Sequence, residues 1–122
     1  MADVDTATVH RWDDLPRDRP MNRLERRRII GSHMMISEVF LQRGCDVPSH
    51  QHANEQFAVV LSGMLRFGIG ESCSPGHRTV DVRAGEVIHL PPNVPHSALA
   101  LEDTRVLDLF SPPSATTGID RR

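Results

Sequence analysis

Two glycine-bounded stretches constrain this chain more than anything else in it. The first, residues 44–63, reads GCDVPSHQHANEQFAVVLSG. Side chains two apart on an extended strand point to the same face, so His50 and His52 present two imidazoles side by side. That is a metal-ligand spacing, but first-row metals usually take at least three protein groups plus water or substrate. The candidates for the remainder are Gln56, past a short Ala53-Asn54 break, and His96. The latter lies in the second stretch, residues 85–100, GEVIHLPPNVPHSALA. A turn at Pro91-Pro92-Asn93 is expected to bring the strand carrying His96 back beside the first. Any one of these histidines alone reads as an ordinary surface or core residue; together they read as a site.

Most of the remaining chain predicts strands. Over residues 27–41, Met34, Ile36, Glu38 and Phe40 share one face, and Met35, Ser37, Val39 and Leu41 share the other. Both faces are largely apolar, as expected for a sheet covered on each side by a lumen and by a second sheet or subunit. Further strands are predicted over residues 56–61, 64–69, 79–83, 87–90, 97–100 and 105–110. Residues 70–78 form a loop in which His77 is exposed, and His89 is given no ligand role. In the last strand Val106, Asp108 and Phe110 share a face. An acid between apolar neighbours is costly to bury unless it is paired or used. Asp108 therefore either rests against an arginine or works as a general acid or base near the metal, with Phe110 walling the pocket.

The 122 residues leave room for one domain with a real core. A hydrophobic content of 39%, a charged content of 25% and a net charge of −2 advertise no nucleic acid or membrane partner. The one basic cluster, Arg26-Arg27-Arg28, reads as a solvated face or an anion contact near a barrel rim. Cys45 and Cys73 are too few to define a disulfide framework and are expected as thiols in a reducing cytoplasm. The amino terminus lacks an apolar secretory segment, and no run approaches the roughly 20 apolar residues of a membrane span. A cytoplasmic, soluble chain is expected. Residues 1–25 read as an N-terminal arm in which the piece around Trp12 packs across the barrel or onto a partner. Residues 26–113 form the barrel and 114–122 a tail ordered where it crosses the barrel mouth.

The order of Gly44, His50-x-His52, position 56 and Gly63, followed by Gly85, Pro91 and His96, resembles the two motifs of the cupin superfamily. The resemblance implies an all-β, single-domain jelly-roll barrel. It departs from the usual pattern at Gln56 in place of Glu, Asn93 in place of Gly and Ala100 in place of Asn. Asn tolerates the positive-φ conformation that Gly supplies, so the turn is expected to survive. The phrases HMMISEV, HANEQ, PPNVPH and ALEDTRVLDLFSPP are similar to small cupins of the KdgF type, which convert unsaturated uronates into linear keto sugars. That likeness implies metal ligation by His50, His52, Gln56 and His96, and places Asp108 and Phe110 in the active site.

Three imidazoles and an amide leave the charge of a divalent ion uncompensated. Such an ion would act as a Lewis acid and attract an anionic bidentate substrate. The ligand set fits Zn, Ni, Mn or Fe. The leading expectation is an isomerase, lyase or ring-opening enzyme for a small anionic sugar or keto acid, with Arg66 or one of Arg26, Arg27 and Arg28 holding the carboxylate. The alternatives are an Fe-dependent dioxygenase, separable by oxygen uptake, and a binding barrel whose metal is structural. A homodimer is expected from the apolar early strands, and an elution volume matching a monomer would contradict it.

Overall fold

The computed structural model describes residues 6–117. A short 3-10 turn, Trp12–Asp14, precedes ten strands: β1 Asp18–Met21, β2 Leu24–Ile30, β3 Met35–Leu41, β4 Asp46–His50, β5 Glu55–Ser62, β6 Met64–Ile69, β7 Arg78–Arg83, β8 Val87–Leu90, β9 His96–Ala100 and β10 Thr104–Ser111. They form two sheets, in the orders β1-β2-β3-β10-β5-β8 and β4-β9-β6-β7. All pairings are antiparallel. This is the all-β jelly roll that the resemblance of the two histidine motifs implied. Among the described residues no helix is long and apolar enough to cross a membrane.

Alternation decides which face is inside. In β10 the even-numbered Thr104, Val106, Asp108 and Phe110 are buried, while Arg105, Leu107 and Leu109 between them are only half-buried. Val106 continues a cross-strand row through Val39 and Val60, and these join Leu65, Phe67, Val82 and Leu90 in one core between the sheets. Burial of such side chains contributes roughly 1.5–3 kcal/mol each.

Two turns need their particular residues. Gly63 has φ +87° between β5 and β6, and a Cβ there would lie 2.3 Å from the Asp103 carbonyl oxygen. Asn93 has φ +64°, the conformation expected of it. Its N–H donates to the His52 carbonyl at 2.8 Å, so the turn of the second stretch clamps the first.

The outer face of the six-stranded sheet holds a buried ion cluster. Glu38 is fully buried and accepts from Arg27 Nη2 at 2.6 Å and from Arg105 Nε at 2.8 Å. Arg27 also donates to the Trp12 carbonyl at 3.0 Å, so the arm packs across the chain's own sheet. β1, too, lies within the stretch read as arm. It joins β2 through Asp18, whose carboxylate accepts from Arg26 Nε at 3.0 Å and Nη2 at 2.9 Å.

Candidate metal centre

The two sheets contribute different parts of one site. From the four-stranded sheet, His50 and His96 are direct cross-strand partners on β4 and β9, a relation that sets Cβ atoms about 5 Å apart. His52 follows in the connection from β4 to β5. The ring centroids lie 4.4 Å apart for His50 and His96, 5.1 Å for His52 and His96, and 5.7 Å for His50 and His52. One ring nitrogen from each falls within 4.8 Å of the others.

Backbone carbonyls set the tautomers. His50 Nδ1 faces the Pro48 carbonyl at 2.8 Å, His52 Nδ1 that of Asn54 at 3.1 Å, and His96 Nδ1 that of Val94 at 2.9 Å. A carbonyl can only accept, so each Nδ1 carries the proton and leaves Nε2 as the ligand atom. Burial holds the His96 pKa down to about 4, with the charges of His50 and His52 acting in the same sense. It is therefore a neutral imidazole at physiological pH, the form that binds metals.

From the six-stranded sheet come Gln56 on β5 and Asp108 and Phe110 on β10. Gln56 donates from Nε2 to Asp108 Oδ1 at 2.9 Å, which turns its Oε1 toward His52 Nε2, 3.2 Å away. With the His52 proton on Nδ1, two lone pairs face each other there. A cation satisfies that arrangement, so the residues fit a metal held by His50, His52, His96 and the Gln56 oxygen. Asp108 is buried, and burial raises its pKa to about 7 against the lowering effect of the Gln56 amide. Phe110 meets His52 edge to face at 5.7 Å between centroids. His50, Gln56, His96, Asp108 and Phe110 line one cavity.

The structure does not bring Arg66 to this cavity. Its β6 neighbours Leu65 and Phe67 line the cavity, so Arg66 projects to the other face, where it donates to Asp81 at 2.8 and 3.1 Å. Choosing it from charge alone ignored the period of two. His89 likewise faces outward, stacked on Phe57 and bound to Glu55 at 2.6 Å. Two contributors were not singled out as site residues. Asn54, buried, orients His52 through its carbonyl and donates from Nδ2 to the Pro112 carbonyl. Thr117, 4% exposed, joins the cavity wall. The one sequence signal for Asn54 was a polar residue set between two ligand positions.

A cupin domain family model matches residues 37–110, which span both histidine strands and Asp108. The chain belongs to the cupin family. Among curated proteins, none matches this cupin by sequence. Among solved structures it is similar to KdgF from Halomonas sp., with a TM-score of 0.80 and 23% identity over 90% of this chain and 97% of that one. It also resembles an RmlC-like cupin from Shewanella frigidimarina, with a TM-score of 0.79 and 18% identity over 90% and 95% of the respective chains. Oxalate decarboxylase from Bacillus subtilis matches at a TM-score of 0.76 and 20% identity over 94% of this cupin but 33% of its own chain. These likenesses show the fold.

Proposed function

We propose that this cupin is a metal-dependent enzyme that moves a proton on a small carboxylate-bearing sugar or keto acid, as in the ring opening of an unsaturated uronate. The observation that carries this reading is the placement of Asp108. A buried carboxylate that pairs with no arginine among the described residues fronts the same cavity as His50 and His96, two of the three converging imidazoles, and accepts from the Gln56 amide. The fold likeness to KdgF supports the choice of substrate class. A neighbouring oxalate decarboxylase with Mn(II) centres supports a metal and a small carboxylate.

A divalent ion, Zn, Ni, Mn or Fe, held by His50, His52, Gln56 and His96 would supply Lewis acidity toward the substrate's oxygens. Asp108 takes or gives the proton, and a pKa near neutrality suits a group that must do both. Gln56 fixes the Asp108 carboxylate through its N–H, and Phe110 keeps one wall of the cavity free of water.

The test starts with metal content, by mass spectrometry, of protein purified without chelator or polyhistidine tag. About one equivalent is expected for the parent, falling to background in a His50→Ala, His96→Ala double variant. Asp108→Ala should keep the metal and lose roughly 100-fold or more of turnover on an unsaturated uronate. Absence of metal from the parent would sink the reading. Iron with oxygen uptake would replace it by oxygen chemistry, and full turnover in Asp108→Ala would remove that residue from the mechanism.

A further inference from the structure

Arg28 lies on the inner face of β2, in the cross-strand row Arg28, Ser37, Asp108. Strands are about 4.8 Å apart, so roughly 10 Å separates the backbone at Arg28 from that at Asp108. Ser37 between them is small and buried. Arg28 donates from Nη1 to the Ala115 carbonyl at 3.1 Å. Among the described residues its carboxylate partner is Asp18, 3.8 Å from Nη2 and already gripped by Arg26 through three hydrogen bonds. A guanidinium with a planar fork of donors is thus engaged by a neutral backbone oxygen.

That oxygen belongs to the segment after β10. Asn54 holds the Pro112 carbonyl at one end, and Ser111 Oγ donates to the His33 carbonyl at 2.8 Å. Two residues beyond Ala115, Thr117 fills part of the cavity wall beside His50, Gln56, His96 and Asp108. The strap therefore runs from Arg28 to the wall of the cavity at the proposed centre.

We propose that Arg28 is the receptor for a carboxylate of the ligand, and that residues 114–117 are a displaceable strap whose Ala115 carbonyl holds that place until an anion takes it. The inference rests on the metal-enzyme reading and adds the means of anion selection. A charge-assisted, two-pronged bond to a carboxylate is about twice as strong as a bond to a neutral carbonyl, which favours the exchange. A strap held by a few hydrogen bonds and one buried threonine belongs to the easily opened part of a fold.

The experiment follows metal release from the loaded protein to two chelators, the dianion dipicolinate and neutral 2,2′-bipyridine. A chain ending at Pro113 is expected to release metal ~10-fold faster to both. Full-length Thr117→Gly should move both rates in the same direction and serves if the shortened chain aggregates. Arg28→Gln is expected to slow release to dipicolinate ~10-fold, without slowing release to bipyridine, as loss of electrostatic steering predicts. Arg28→Lys should restore part of the difference, and Arg66→Gln should change neither rate. Unchanged rates in both strap variants would overturn the strap, and an equal effect of Arg28→Gln on both chelators would overturn the receptor. Either failure in a protein that still holds its metal leaves the metal centre standing. A protein that takes up no metal would overturn the centre and this inference together.

Discussion

Glu38 and Asp108 are both buried in the six-stranded sheet, one on each face, and the chain treats them in opposite ways. Glu38, fully buried on the outer face, receives Arg27 on one oxygen and Arg105 on the other. Asp108, on the inner face, receives one amide N–H and, among the described residues, no cation, and burial pushes its pKa to about 7. A compensated charge organises packing and does nothing else. An uncompensated one stores proton affinity, and it stands beside three imidazoles whose Nε2 atoms converge. The comparison separates an acid that serves packing from the one proposed to work in catalysis by its partners, not by its depth.

Glu38→Gln should break the comparison most severely. It takes from Arg27, whose side chain is 10% exposed, its buried carboxylate partner and leaves it the exposed Asp13 at 3.3 Å. Breaking a buried pair by removing one partner costs about 3–5 kcal/mol. Urea unfolding of the metal-free protein measures it. A loss below about 1 kcal/mol would mean that the cluster is not what fixes the outer face.

Asp108→Asn should have a smaller effect, of opposite sign and dependent on pH. The folded-state pKa is raised from 3.8 to about 7. Between those values the native chain binds more protons than the unfolded one, so stability falls as pH rises through the window. Asparagine keeps an oxygen for the Gln56 N–H but carries no charge. With a chelator present, the variant should exceed its parent by about 1–3 kcal/mol at pH 8 and match it near pH 4. A gap that stays constant with pH would show that the buried charge is not its source.

The contrast also explains what was legible in the sequence. The convergence of the three histidines was legible because their spacing and the glycine-bounded turns are local: His50-x-His52 needs only extended backbone, and Asn93 only a turn. Asp108 could be placed beside Val106 and Phe110 for the same reason. The partners of Glu38 were not legible. Arg27 reaches Glu38 across the β2–β3 pairing and Arg105 comes from β10, far along the chain, while the face was taken as largely apolar. β1 was missed because Asp18 joins the sheet through an ion pair with Arg26, not through an apolar pattern. Thr117 gave no signal, since a threonine in a polar tail becomes a cavity wall only through the path of the strap.

The mildest prediction tests whether the face a charge occupies, and not the charge itself, decides its role. Arg66 and Asp81 pair across β6 and β7 on the outer face of the smaller sheet, with side chains 47% and 28% exposed. Hydrogen bonding to Arg66 holds the Asp81 pKa below its usual value. Its contribution is therefore present above pH 3.8 and is lost only as the solution becomes more acidic than that. At neutral pH, exposed pairs of this kind are screened by water and salt. Arg66→Gln should leave the urea midpoint within measurement scatter, with metal content and turnover unchanged. A fall in turnover in Arg66→Gln would show that the substrate feels charge at a distance. The inner face would then lose its claim to be where the anion is chosen.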